Sequence, residues 1–233
     1  MVGKVYTIAE PNPATDLAEK VSGQYTTLLA DPPWKFQNRT GKVAPEHRRL
    51  LRYPTMEMKE IMDLPVAQFA AAQSHLYLWV PNALLMEGLQ VMQAWGFTYK
   101  TNLVWYKIRK DGGPDGRGVG FYFRNVTELI LFGVRGSLRT LPPGRRQVNL
   151  FSSRKREHSR KPDEIYDLIE ECSPGPYLEL FARFRRPGWY QWGNEDVEEN
   201  SLCDVAKRQA HAAEQRRLPE SPRGYNTKNR QAE

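Results

Sequence analysis

Residues 25–34 read Tyr25-Thr26-Thr27-Leu28-Leu29-Ala30-Asp31-Pro32-Pro33-Trp34. A short, apolar, partly β-branched run stops at a carboxylate, two prolines and an aromatic ring. Its length and composition predict a buried strand over 25–30. Proline has no N–H for a sheet ladder and biases the residue before it away from helix. The strand therefore ends near Asp31, with a stiff loop at its carboxyl end. In open α/β sheets that is the end where ligands bind.

Such a tetrapeptide has a chemical use. The exocyclic amino group of adenine is a poor nucleophile, because its lone pair is delocalised into the ring. Two acceptors placed on its two N–H bonds draw the nitrogen towards a tetrahedral, reactive form. Asp31 can supply a carboxylate oxygen, and Pro32 a backbone carbonyl held in place by Pro33. Trp34 can stack on a base, a contact worth about 1–3 kcal/mol. The alternative is a strand that merely ends in a Pro-Pro turn with a half-buried Trp.

Outward from this stretch, the chain alternates strand-like and helix-like patterns. His75 to Val80 reads as a second buried strand, and Asn82 as the cap of a helix over 83–95. Thr101 to Tyr106 is a third strand, and Glu128 to Val134 a fourth. Thr55 can cap a short helix carrying Met56, Ile61 and Met62. Ser159-Arg160-Lys161-Pro162-Asp163-Glu164 is a helix start, with Pro162 suited to the first helical position and the acids to the dipole. That helix runs through Ile165, Leu168 and Ile169 to Cys172. Tyr177 to Ala182 is a further strand. A strand–helix–strand rhythm implies a parallel sheet.

Asp31-Pro32-Pro33-Trp34 resembles the catalytic motif of the MT-A type adenine-N6 methyltransferases, relatives of the catalytic subunit of the eukaryotic mRNA N6-adenosine methyltransferase with many bacterial and phage members. The resemblance continues through Tyr53-Pro54-Thr55-Met56, Leu78-Trp79-Val80, Trp105-Tyr106-Lys107, Glu128 to Gly136, Ser159 to Ile169 and Leu178 to Glu195. It implies an α/β fold of the Rossmann-like class I S-adenosylmethionine-dependent methyltransferases. The base-acting motif comes first and the cofactor strand last, so the sheet is expected to be circularly permuted and mostly parallel, with helices on both faces. S-adenosyl-L-methionine is the implied cofactor. The implied reaction is methylation of adenine N6 in nucleic acid, with DNA favoured for a compact chain and RNA as the alternative. A non-catalytic nucleic-acid-binding partner subunit is a further alternative.

The resemblance also assigns residues. Asp31, Pro32, Pro33 and Trp34 are the catalytic set. Tyr53 lines the target pocket, or is a half-buried packing residue; Glu128 lies near the active site, or is an exposed carboxylate opening a strand. Asp31, Lys161, Arg183, Asn194 and Glu195 hold the cofactor. On physical grounds Lys161, just ahead of a helix N-terminus, adds charge to an anion site. Glu195 stands where the family has Gln, and a carboxylate can accept both ribose hydroxyls. Phe184-Arg185-Arg186 replace the family's Pro-His-Asn, so Arg185 or Arg186 is the candidate for the cofactor's carboxylate.

Composition sets bounds. The 233 residues carry a net charge of +7 and a pI near 9.4. From Lys107 to Lys161 there are fourteen Lys and Arg against four Asp and Glu; from Lys35 to Arg52 there are six against one. The remainder is net acidic, so the basic charge is concentrated, as in a polyanion binder. Arg117 in the Gly-rich stretch 110–120, and Arg145, Arg146 and Arg154 in the loop after the fourth strand, are the candidate phosphate contacts. Cys172 and Cys203 are the only cysteines, and the four histidines lack ligand spacing, so no metal site is expected. No apolar stretch reaches membrane-span length and no signal peptide opens the chain, so a cytoplasmic protein is expected, monomeric or homodimeric, or paired with a related subunit. Residues 1–196 are expected to form the catalytic domain. Residues 197–233 are polar and nearly neutral, and read as a tail, partly helical or disordered.

Overall fold

The computed structural model describes residues 12–35, 55–116, 122–154 and 161–193. The expectations for Tyr53, Arg117, Asn194, Glu195 and the 197–233 tail lie outside these residues.

Seven strands form one sheet: β1 (Tyr25–Ala30), β2 (Ala70–Val80), β3 (Thr98–Ile108), β4 (Thr127–Arg135), β5 (Leu150–Arg154), β6 (Tyr177–Leu180) and β7 (Trp189–Trp192). Their spatial order is β5-β3-β4-β2-β1-β6-β7. β1 runs parallel to β2 and to β6, β6 parallel to β7, and β3 parallel to β5. β4 alone runs antiparallel, against both β2 and β3. The sheet is thus mostly parallel, as expected.

Side chains alternate across a strand, so a sheet covered on both faces needs apolar residues at every position. β1 and β2 show this. Leu28, Ala30, Leu76, Leu78 and Val80 enter one core, while Leu29, Tyr77 and Trp79 enter the other. The first core is closed by α1 (Pro13–Lys20) through Leu17, by α2 (Met58–Met62) through Ile61, and by α4 (Leu85–Ala94) through Val91 and Met92. Phe69 of the short α3 (Val66–Phe69) joins it. The second core is closed by α5 (Glu164–Cys172) through Ile165, Leu168, Ile169 and Cys172. Helices therefore lie on both faces.

Several local expectations are corrected. β2 and β3 extend several residues N-terminal to their apolar patterns: β3 because ladder bonding to β4 continues to Thr98 along exposed residues, and β2 because Ala70 pairs with Tyr25 of β1. Asn82 does not cap a helix: its amide donates to the carbonyl and hydroxyl of Thr127, at 3.2 and 3.1 Å, and so ties the end of β2 to the start of β4. α2 starts after Glu57, not Thr55, with the Glu60 carboxylate accepting the Glu57 N–H at 2.7 Å. Pro162 stands two residues ahead of α5, whose cap position is Asp163.

The chain moves from β1 to β2 on one side and returns through β6 and β7 on the other. That reversal opens a crevice above β1 and β6, at the carboxyl ends of the parallel strands. No helix among the described residues is long and apolar enough to cross a membrane.

Candidate active site

Asp31 follows β1 at the mouth of this crevice. Its parity with Leu29 turns it to the face that α5 covers. Glu128, the second residue of β4, pairs in register with Trp105 of β3 and shares that face. Because β4 is reversed, its beginning meets the ends of its neighbours, and Glu128 arrives beside Asp31. Lys161, from the segment leading into α5, comes down between them.

The result is a row of alternating charges across the end of the sheet where the parallel strands finish. Lys161 Nζ lies 3.2 Å from Asp31 Oδ2 and 3.2 Å from Glu128 Oε2. Lys107 Nζ, at the end of β3, lies 2.5 Å from Glu128 Oε1. Each ammonium also sits over an indole: Lys161 is 4.8 Å from the Trp79 ring centroid and Lys107 is 4.9 Å from that of Trp105. The two indoles meet edge to face at 5.8 Å. Cation–π contact adds to the ion pairs where water is partly excluded.

The row sets the protonation states. Burial would raise Glu128, but the Lys161 and Lys107 charges outweigh it and hold its carboxyl at about 2. Burial would lower Lys161, but Asp31 and Glu128 outweigh it and raise it. Burial pushes Asp31 above its usual range, with Lys161 pulling back and Glu128 adding to the rise. The Arg183 charge also reaches Asp31 and opposes the rise.

Trp34 is placed differently from expectation. It is 6% exposed and packed into the first core, and its Nε1 donates to the Trp79 carbonyl at 2.9 Å. A ring so enclosed is not available to stack on a base. It instead fixes the Pro-Pro turn against the end of β2. Pro32 O accepts the Trp34 N–H at 2.8 Å, and Pro33 O accepts the Met56 N–H at 3.0 Å. The turn is therefore held at both carbonyls, each of which keeps a second lone pair.

Beyond β6 the chain turns sharply. Phe181 has φ of 65°, a left-handed conformation costing about 1–3 kcal/mol for a non-glycine residue. Its ring packs edge to face on Trp192 at 5.3 Å. Ala182 N donates to Trp192 O at 2.9 Å, joining the ends of β6 and β7. A Cβ at Gly193 would lie 2.1 Å from Ala182 O, so glycine is required there. Arg183 and Gly193 are thereby neighbours at the crevice.

The arginines that follow divide. Arg186 is engaged away from the crevice: it reaches Asp167 at 3.0 Å and Glu170 at 3.4 Å, and stacks 4.2 Å from the Tyr166 ring centroid. It is thus removed as a candidate for a carboxylate in the crevice. Arg185 is exposed.

The basic middle of the chain is also divided. The β3–β4 connection and Arg154, at the carboxyl end of β5, share the end of the sheet that holds Asp31. Arg145 and Arg146 lie at the opposite end, in a 3-10 turn (Pro143–Arg146) packed on the last turn of α5, where Leu141 N donates to Cys172 O at 2.8 Å. There Arg145, with Lys100, Phe132, Leu138 and Arg139, lines an open cavity of about 560 Å³. The structure does not bring Arg145 and Arg146 to the Asp31 crevice.

Sequence reasoning quoted Trp79, Trp105 and Lys107 only as part of the resemblance and gave them no role. A usable signal existed: an aromatic and a cation two residues apart at the carboxyl end of a strand share one face. The expected cofactor fits what is present. A carboxylate suits its ammonium, the cations Lys161 and Arg183 suit its carboxylate, and the close approach of Gly193 to Ala182 joins the ends of β6 and β7 beside Arg183.

The MT-A70 family model matches residues 25–195. The type II methyltransferase M.MunI of Mycoplasma sp is 31% identical over 189 residues, covering 74% of this chain and 78% of its own length. The human N(6)-adenosine-methyltransferase catalytic subunit METTL3 is 29% identical over 181 residues, covering 75% of this chain and 29% of its own length. The N(6)-adenosine-methyltransferase MT-A70-like protein of Drosophila melanogaster is 29% identical over 179 residues, covering 75% and 27%. The chain thus spans under a third of the length of these two eukaryotic relatives. With the sheet order, the Asp31 crevice and these matches together, the chain belongs to the MT-A70 family of methyltransferases, and its fold is that of the S-adenosylmethionine-dependent enzymes.

Proposed function

We propose that this protein transfers a methyl group from S-adenosyl-L-methionine to N6 of adenine in nucleic acid, with DNA the preferred substrate. The observation that carries this reading is the convergence of Asp31, Lys161 and Glu128 at the carboxyl end of the sheet, beside a proline turn whose carbonyls are held in place.

When bound, the cofactor supplies an activated methyl on a sulfonium, so the protein's task is alignment and charge placement. Asp31 accepts one N–H of the adenine amino group, and the second lone pair of the Pro32 carbonyl accepts the other. Burial raises the basicity of Asp31, which strengthens that acceptance. Lys161 holds Asp31 in orientation. Two of its three donors face Asp31 and Glu128, and the third serves the cofactor's carboxylate together with Arg183. Asn194 and Glu195 follow Gly193 directly and are assigned to the ribose and the methionine tail, and Tyr53 to the base. Residues 1–196 are the catalytic domain in this reading. A duplex must release its adenine from the stack before Asp31 can reach it; a single strand need not.

DNA is favoured by the match to M.MunI, which covers most of both chains. RNA is the second reading, favoured by the matches to N(6)-adenosine-methyltransferases. Incubation with labelled S-adenosylmethionine and single- and double-stranded DNA and RNA, followed by digestion to nucleosides, tests both. We expect label in N6-methyldeoxyadenosine. Label in N6-methyladenosine alone would move the substrate to RNA. Label in neither, with no calorimetric binding of the cofactor, would overturn the reading.

A further inference from the structure

Tyr122 is 95% exposed and Phe123 is 85% exposed. The other exposed aromatic rings among the described residues, Tyr99, Phe184 and Tyr190, stand at 41–42%. Two adjacent rings so exposed hold apolar surface that the described residues leave uncovered, and such surface marks a contact made in function.

The position of the pair is specific. It lies on the connection between β3 and β4, at the end of the sheet that holds Asp31. Glu128 follows Tyr122 by six residues, so their Cα atoms lie within about 22 Å of each other. The limbs of this connection are fastened through Lys107, the residue whose ammonium grips Glu128. Lys107 N donates to Val126 O at 2.8 Å, and Asp115 N donates to Lys107 O at 2.9 Å. Ile108 bridges Pro114, and Arg124 Nη1 donates to Gly116 O at 3.0 Å. The rings are thus carried on an anchored connection, not on a free tail.

The charge around them selects the occupant. From Lys107 to Arg124 the chain carries five Lys and Arg against two Asp. Asp111 and Arg109 offset each other, Asp115 is buried and Lys107 is held by Glu128, so the basic excess rests on Lys110, Arg117 and Arg124. A basic surface with projecting flat rings matches a strand of nucleic acid, whose phosphates meet the cations while its bases stack on the rings.

We infer that Tyr122 and Phe123 form a stacking platform for the nucleobases next to the target adenine, which keeps the strand open while that adenine occupies the Asp31 crevice. This deepens the proposed function and rests on it. The platform reads π-faces, so it grips the flanking bases without selecting among them.

The test uses the full chain with S-adenosylmethionine present and DNA oligonucleotides, single-stranded and duplex, bearing one adenine flanked by 2-aminopurine. Stacking on an aromatic ring quenches 2-aminopurine fluorescence. We expect quenching with the wild-type protein and with Tyr122→Phe. Tyr122→Ala/Phe123→Ala should lose the quench and bind the single strand roughly ten- to a hundredfold more weakly. The slope of log affinity against log salt should not change, because no phosphate contact is removed. Calorimetric affinity for the cofactor should also be unchanged. Equal affinity and equal quenching in the double variant would overturn the inference. So would light scattering that shows a wild-type dimer turned monomeric by the double substitution, since the rings would then be covered by a second copy. Failure of the proposed function reads differently: no methyl transfer and no cofactor binding in any protein, whatever the quench.

Discussion

At the residue scale, the charge row makes Asp31 and Glu128 unlike in role although both are carboxylates. Glu128 is clamped by two ammonium groups and stays ionised. Asp31 is clamped by one and faces the crevice. Asp31→Asn keeps the shape but removes the charge on the acceptor. We expect transfer to fall on the order of 10²–10³-fold, the scale for losing one preorganised electrostatic contact, with urea unfolding near wild type. Single-turnover assays with labelled cofactor check this; near-normal turnover would remove Asp31 from the chemistry. A third carboxylate gives a pH signature. Glu179 accepts from the Tyr166 hydroxyl at 2.7 Å and from the Gln191 amide at 2.6 Å. Burial nonetheless lifts it to about 7 from an ordinary 4.5. A raised carboxyl favours the protonated folded state, so its contribution to stability is complete below pH 4.5 and lost as pH rises through about 7. We expect wild-type stability to fall by about 3 kcal/mol across that window and Glu179→Gln to flatten the decline. Urea titrations at successive pH values read the slope; equal slopes would exclude Glu179 as the source.

At the scale of elements, β1 occupies the residues its composition predicts, Tyr25 to Ala30, because an apolar run bounded by proline leaves the backbone no alternative. β2 was legible only in its doubly buried half, and β3 only from Thr101 on, beyond which half-buried and buried residues alternate as far as Tyr106. Their exposed N-terminal residues join the ladder for backbone reasons that side-chain pattern does not record. Helix packing offers a sharper test. A Cβ on Gly88 of α4 would meet the methyls of Val80 at 2.5 and 2.9 Å, and Leu131 at 3.1 Å. Gly88→Ala gains about 1 kcal/mol of helix propensity, but it forces a fully packed contact between helix and sheet. We expect the overpacking cost of about 1–3 kcal/mol to outweigh that gain, for a net loss of up to about 2 kcal/mol in urea unfolding, with cofactor affinity preserved. A stabilised variant would show that α4 can lift off the sheet at no cost.

At the scale of the whole molecule, the direction of β4 distributes the basic charge. The connection before β4 and the end of β5 face the crevice, while the connection after β4 faces away. We expect Arg154→Ala to reduce the salt slope of oligonucleotide binding by about one, and Arg145→Ala/Arg146→Ala to leave it unchanged. Fluorescence anisotropy across a salt series reads both. A reduced slope in the second variant would mean that nucleic acid wraps around the sheet to its far end.

The sequence by itself determined the buried strand before Asp31, the two-faced core, the helix through Ile165 to Cys172 and the family, because each is written in local pattern or in motif order. Asp31 and Lys161 were legible because each stands at the boundary of a patterned element, and Glu128 through the resemblance, with an exposed strand-start carboxylate left as the alternative. Only the tertiary structure decided what Trp34 does, since a ring that packs and a ring that stacks have the same chemistry until neighbours enclose one. Only it joined Lys107 to Glu128, sent Arg186 to α5 and parted Arg145 from Arg154. The Lys107–Glu128 contact and the parting of Arg145 from Arg154 depend on which way β4 runs, and the Arg186 contact on where the β6–β7 connection meets α5; both are fixed by pairings between residues far apart in the chain, which leave no mark on the local alternation of side chains.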